Sequence, residues 1–338
     1  MDLFGLSLVM VGIFVGFGLL IGILFGFFGM GGSFLVTPAL LVMGYPAKVA
    51  VGSGLAFVFG TSVIGALRHR SHGQVDYKLA TIMTIAMTIG IKLGEYVITY
   101  LESTGVIDVV ISVAYVSLLA IVGLFTLHDA RSTDRKSVGV DLSTKVQSIE
   151  IPPMVTLKGD IRISAAIIFV LGLAIGVLSG LLGVGGGFLL MPAMMYGFGV
   201  PAAIAVGTDI LQITISGAFG AFVYAEAGAV NLPVVGALLA GSALGARIGA
   251  AATKLVAEEG IKGYFAAMLL AGSVAVAAKN LAEPLGLAWL EMLSIALIFG
   301  AAILVSGAVV LSAICQLRSN ATGAWCRLTS TESMSPGQ

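Results

Sequence analysis

Few residues in this 338-residue chain can do chemistry, and most of those that can are set in apolar sequence. Two glycine-led phrases offer backbone rather than side chains: Gly29-Met-Gly-Gly-Ser-Phe-Leu-Val-Thr-Pro38 and Gly183-Val-Gly-Gly-Gly-Phe-Leu-Leu-Met-Pro192. Each follows an apolar run and opens a short helical pattern. A helix start exposes unsatisfied N–H groups and a partial positive charge, and glycines let a ligand approach the backbone. Gly29, Gly31, Gly32 and Ser33, with Gly183, Gly185, Gly186 and Gly187, are therefore candidate anion-binding positions; consecutive glycine N–H groups can also form a nest. Tight packing of helices at sharp bends accounts for the same glycines with no ligand. Neither phrase is a nucleotide loop: no Gly-Lys-[Ser/Thr] ending follows, and Phe34 and Phe188 break GxGxxG spacing.

Side chains add a second constellation. Lys92 and Arg247 occupy matching positions, Ile89-Gly-Ile-Lys-Leu-Gly94 against Leu244-Gly-Ala-Arg-Ile-Gly249. A cation inside an apolar helix faces a cavity, a partner or the interface, so the pair either neutralises an anionic substrate or snorkels. Glu95 can pair with Lys92 at i,i+3. Thr208, Asp209 and Gln212 stand where the first half has Ser53, Gly54 and Phe57. Asp209 is an acid in apolar sequence with no cation beside it; it binds a proton or co-ion, with Glu95 a second coupling candidate, or it caps its helix. Ser53, Thr61, Thr208 and Ser216 offer hydroxyl groups, many of which bond back to their own helix. His69 and His72 read as surface residues of a basic loop, and Met194-Met195 as packing. Cys315 and Cys326 have no nearby ligand set, so neither a metal site nor a disulfide framework is expected.

The elements that must position these residues are apolar helices. Hydrophobic residues make up 58% of the chain and charged residues 10%, against about a quarter charged in soluble domains. Mean hydropathy is +1.08, which makes lipid the main solvent. Net charge is zero and no basic patch alternates with aromatics, which excludes nucleic-acid binding. The pattern predicts helices over 5–28, 33–44, 47–67, 77–100 and 106–127, then 162–182, 187–198, 202–225, 231–253, 262–280 and 288–314. With about 20 residues needed per crossing, this is an all-α polytopic membrane protein of eight or nine full spans plus two short helices, 33–44 and 187–198. The start, Met1-Asp2-Leu3-Phe4, lacks a positive n-region, so Leu6–Phe28 is read as a retained span.

The chain also repeats itself. Gly18, Leu19, Ile21, Gly22 and Gly26 match Gly172, Leu173, Ile175, Gly176 and Gly180; Pro46, Ala47, Ala50, Val51 and Gly52 match Pro201, Ala202, Ala205, Val206 and Gly207. The register continues through Gly73, Val75, Gly90 and Gly94 against Gly228, Val230, Gly245 and Gly249. The expected organisation is a first membrane repeat over 1–127, a polar, mobile linker over 128–161, a second repeat with an extra terminal helix over 162–316, and a tail over 317–338. Arg68, Arg70 and Lys78 flank one loop, while its counterpart around Glu226–Asn231 holds no Lys or Arg. The linker, of mixed charge, holds Arg131, Arg135, Lys136, Lys145 and Lys158, and the tail adds Arg318 and Arg327. The positive-inside rule then places the first loop, linker and tail in the cytoplasm and makes the repeats inverted.

At Gly26–Pro38, Pro46–Gly52, Gly180–Pro192 and Pro201–Asp209 the chain resembles the sulfite exporter TauE/SafE family, also called the toluene-sulfonate uptake permeases. The resemblance spans most of the sequence outside the linker and tail. It implies a multi-pass plasma-membrane permease with a duplicated helical unit, for sulfite, sulfonates, sulfoacetate or related small organic anions. Apart from the resemblance, no cofactor is expected, and Asp209 or Glu95 makes H+ a candidate coupling ion. The helix count exceeds the eight spans usual in the family. An anion channel is the nearest alternative. A membrane-embedded enzyme is the alternative of another class, and no metal-binding His cluster, Ser/His/Asp set or paired carboxylates support it.

Overall fold

The computed structural model describes residues 2–3, 6–28, 33–69, 75–131, 143–149, 151–252 and 258–322. The chain is a helical bundle of α1 (Leu8–Phe28), α2 (Ser33–Val42), α3 (Ala47–His69), α4 (Tyr77–Thr104), α5 (Ile107–Arg131), α6 (Ala165–Leu182), α7 (Gly187–Pro192), α8 (Ala202–Glu226), α9 (Leu232–Ala252), α10 (Glu258–Leu285) and α11 (Ala288–Thr322). A π-helical turn, Ala193–Gly197, continues α7. Among the described residues nine helices are long and apolar enough to cross a membrane, and α2 and α7 fall short of that length. Large apolar side chains such as Val9, Tyr96, Ile121, Met292 and Leu304 point outward, as lipid-facing residues do.

Small residues decide which helices touch. Gly18, Gly22 and Gly26 on α1 lie directly against the backbones of Leu238, Ser242 and Ala246 on α9, and Gly241, Gly245 and Gly249 return the contact to Val15, Leu19 and Ile23. A Cβ at any of these six glycines would collide with main-chain atoms, so only glycine permits this parallel pair to close. The same device joins α4 to α6, where Gly90 and Gly94 meet Gly176 and Gly180. By contrast α3 and α8 run antiparallel: Gly52 lies beside Tyr224 and Ala229, Leu55 beside Gly220, and Phe59 beside Gly217. The α5–α10 pair is antiparallel too, with Gly123 against Leu270, Leu119 against Gly272, and the Ser273 hydroxyl donating to the Val116 carbonyl at 2.9 Å.

Two strand pairs depart from the all-helical expectation. The first is the short pair β1 (Asp2–Leu3) and β2 (Leu6–Ser7). The second corrects the reading of 128–161 as a mobile linker, at least over its later part. There β3 (Met154–Leu157) and β4 (Ile161–Ser164) form an antiparallel hairpin. Its inward residues Leu157 and Ile163 pack in one cluster with Leu79, Met83, Met194 and Phe198. A helical turn over 143–147 sits alongside, where the Gln147 amide donates to the Phe198 carbonyl at 3.1 Å. The polar composition hid four apolar positions at period two, enough to bury one face of a hairpin. Ser164 ends β4 and caps α6 through the Ala166 N–H, so that helix starts at 165 rather than 162.

Candidate functional site

The second glycine phrase is a break in the middle of the bundle. Gly183, Gly185 and Gly186 have φ of 69°, 66° and 84°, a left-handed backbone that side-chain-bearing residues rarely adopt. Gly183 ends α6 by donating its N–H to the Ser179 carbonyl at 2.7 Å. Gly186 opens α7, its carbonyl accepting from Leu189 and Leu190 at 2.9 Å each. The N–H groups of Gly187 and Phe188 begin that helix and have no acceptor within it. All five residues 183–187 are buried. Two tyrosines brace the turn before the break: the Tyr224 hydroxyl donates to the Gly180 carbonyl at 2.6 Å, and the Tyr115 hydroxyl to that of Leu182.

The glycine Cβ directions are already filled by protein. Next to Gly183 stand the Val51 backbone and Thr37, next to Gly185 the Val58 side chain, and a Cβ on Gly186 would come within 2.7 Å of the Met87 methyl. These glycines therefore pack closely whatever else they do. The phrase is joined from the other half by α2: Phe34 and Phe188, each the second residue of its short helix, pack with ring centroids 5.8 Å apart. The two short helices thus begin side by side. Gly29, Gly31 and Gly32 lie outside the described residues, as does the side chain of Ser33.

Beside this junction α8 carries a buried polar row. Asp209 and Gln212 are each 1% exposed, and Ser216 is fully buried. The Gln212 amide nitrogen donates to Ser216 Oγ at 3.2 Å and touches Met87 Sδ. Neither carboxylate oxygen of Asp209 has a hydrogen-bond partner, nor does Gln212 Oε1. Met87 links this row to the glycine break. Sequence reasoning noted Asp209 and Gln212 but missed Met87, since a methionine in an apolar helix carries no signal beyond packing.

Ser53 and Thr208 have a different setting. The Thr208 hydroxyl accepts the Asp76 N–H at 3.0 Å, and the Ser53 hydroxyl accepts the Asn231 N–H at 3.0 Å. Asp76 and Asn231 cap α4 and α9, through Lys78 and Leu79 in one case and Val234 in the other. Each hydroxyl thus holds a helix start that belongs to the other half of the sequence. Asp76 Oδ2 also accepts from Lys158 N–H at 2.6 Å, which ties the β3–β4 turn to the same node.

Lys92 and Arg247 are not brought to the break. Lys92 is 59% exposed and pairs with Glu95 at 2.9 Å, the i,i+3 contact its spacing predicted. Arg247 is exposed on α9, because the opposite face of that helix, Gly241–Gly245–Gly249, is given to α1. The loop holding Arg70 and His72 lies outside the described residues, and so do Cys326 and the side chains of Arg68 and His69. Among the described residues no group of His, Cys, Asp and Glu could hold a metal ion.

A separate cavity of about 370 Å³ lies at the opposite end of the bundle from the hairpin, lined by Tyr45, Pro46, Asp108, Ser112, Lys279 and Asn280 among others. Its charges are engaged: Lys279 pairs with Glu291 at 2.8 Å, and Asp108 accepts the Ala47 N–H at 3.3 Å. Burial raises the Tyr45 phenol above its ordinary value, which keeps it a donor.

Comparison with known proteins accords with this architecture. A family model described as Sulfite exporter TauE/SafE matches residues 14–276. The Bacillus subtilis probable membrane transporter protein YunE is 28% identical over 247 residues, covering 71% of this chain and 87% of that protein. A probable membrane transporter protein of Xylella fastidiosa (strain Temecula1) is 27% identical over 248 residues, covering 72% and 86%. One from Methanocaldococcus jannaschii is 28% identical over 233 residues, covering 64% and 76%. No solved structure matches.

Proposed function

The chain belongs to the TauE/SafE sulfite exporter family, and on that premise we propose that it carries a small sulfur-containing anion, such as sulfite or a sulfonate, by alternating access. The observation that carries this reading is the junction of Phe34 with Phe188, which sets two short helices start to start within the bundle. Backbone breaks at such a depth are tolerated where they are enclosed by protein or line a path for solute. The anion would sit against the N–H groups that open α7, beside the start of α2.

Duplication and inversion complete the proposal. Ser53–Asn231 and Thr208–Asp76 make the same bond between aligned positions, once in each direction. The aligned helices α3 and α8 run antiparallel, as do α5 and α10. Both relationships are expected of inverted repeats, which would rock about the junction to expose the anion to each side in turn. Lys78, Lys158 and the hairpin gather at one end of the bundle, which supports placing that end in the cytoplasm. The membrane would be the plasma membrane.

Ligand stabilisation tests the substrate class directly. In detergent, sulfite or a sulfonate should raise Tm in a concentration-dependent way, because a ligand of the native state stabilises it. A panel of small anions with no shift at any concentration would contradict the reading.

A further inference from the structure

We propose that Asp209 is the proton-binding group of this transporter and that Gln212 and Met87 relay its protonation to the glycine break. The proposal rests on the transport reading and adds to it a coupling ion and a route.

Three oxygens, both of Asp209 and Gln212 Oε1, are buried together on successive turns of α8 and lack any donor. Residues three apart on a helix are neighbours, so the two side chains share one face of α8. A buried acceptor without a donor is costly, and a bare carboxylate costs far more. One proton resolves most of this: as a carboxylic acid, Asp209 donates its O–H to Gln212 Oε1. The amide oxygen is left available for that bond, since the nitrogen end is held by Ser216 Oγ and Met87 Sδ.

Loss of the proton reverses the demand. A carboxylate accepts only, so Gln212 turns its NH2 toward Asp209 and its oxygen toward Ser216, whose hydroxyl serves as donor instead of acceptor. The amide oxygen and one carboxylate oxygen are then paired, but an amide oxygen now replaces the N–H at Met87 Sδ. Met87 must move, and its methyl is the group lying against Gly186. Protonation is thereby read as the orientation of one amide and passed to the backbone that opens α7. Two discrete arrangements of one side chain make a switch.

No other described charge competes for Asp209. On α4, Asp76 is saturated by the N–H groups of Lys78, Leu79 and Lys158; Lys78 bonds the Thr156 carbonyl, and Lys92 pairs with Glu95. On α3, Lys48 pairs with Glu102 of α4 at 2.6 Å. The short helix and its π turn contribute only Tyr196, which packs edge-on against Phe125, and α8 itself adds Tyr224, bonded to Gly180, and Glu226 at its far end.

The test compares wild type with Asp209→Asn and Gln212→Leu in proteoliposomes, using labelled sulfite. Asparagine keeps the shape of the protonated acid and its donor toward Gln212. Asp209→Asn should therefore retain sulfite exchange between equal pools yet lose accumulation driven by a pH gradient. Gln212→Leu should exchange sulfite with an altered pH profile. Infrared spectroscopy gives a reading that does not depend on transport: a buried carboxylic-acid C=O stretch present in wild type and missing from Asp209→Asn. Accumulation still driven by a pH gradient in Asp209→Asn, accumulation driven by sodium instead of protons, or a missing infrared band would overturn the proposal. Wild type that exchanges no anion at all, but shows the band, would instead count against the transport reading.

Discussion

Phe34 and Phe188 meet ring to ring, 5.8 Å between centroids and 46° between planes, at the starts of the two short helices. A third ring, Phe265 of α10, packs edge-on against Phe34 at 5.4 Å. This buried aromatic group fixes how the two halves abut where the backbone is broken. The contact should show as coupling in a double-mutant cycle. Phe34→Leu and Phe188→Leu, singly and together, should be non-additive by about 0.5–1.5 kcal/mol in unfolding measurements. Strict additivity would mean the rings are independent.

Gly186 combines a left-handed backbone with Met87 at its Cβ direction. Gly186→Ala should cost about 1–3 kcal/mol of stability through backbone strain. Gly186→Val should abolish uptake. Pairing Gly186→Ala with Met87→Ala separates the causes: it relieves the collision and leaves the strain. Gly186→Ala should therefore lower Tm less in a Met87→Ala background than in wild type, yet still lower it, since the cavity cost of Met87→Ala is common to that background.

The crossed caps give a paired expectation. Thr208→Val and Ser53→Ala each remove an acceptor from a helix-start N–H, and each should lower stability by about 0.5–2 kcal/mol. Asp76→Ala should cost more than either, because three N–H groups lose their acceptor and the hairpin loses its tie. Hydrogen exchange at Lys158 should rise in that variant and stay unchanged in Ser53→Ala.

Lys92→Gln and Arg247→Gln should leave anion affinity unchanged. Both side chains face outward, and an exposed pair such as Lys92–Glu95 contributes little to stability. Isothermal titration with sulfite would check this, and a selective loss of affinity in either variant would return the cations to the site.

Helix type and order were legible in the sequence because apolar runs of spanning length leave few other structures in lipid. So was the break: glycines at Gly183, Gly185 and Gly186 mark positions that left-handed backbone requires. The Lys92–Glu95 pair followed from spacing. What spacing could not supply was direction around each helix. Matched cations at Lys92 and Arg247 looked like a site, yet on α9 the glycine stripe claims the inward face and leaves Arg247 outside. Likewise spacing gave no sign that the Ser53 and Thr208 hydroxyls accept from Asn231 and Asp76, 178 and 132 residues away. The hairpin was missed because two four-residue strands in polar sequence bury only one face each.

The central claim is most directly tested by counterflow. Purified protein in liposomes preloaded with unlabelled sulfite or sulfonate should take up labelled anion faster than in empty liposomes, with saturable kinetics. Trans-stimulation of this kind is what alternating access at one site predicts. Flux that neither saturates nor responds to internal anion, or no flux for any small anion tested, would contradict it.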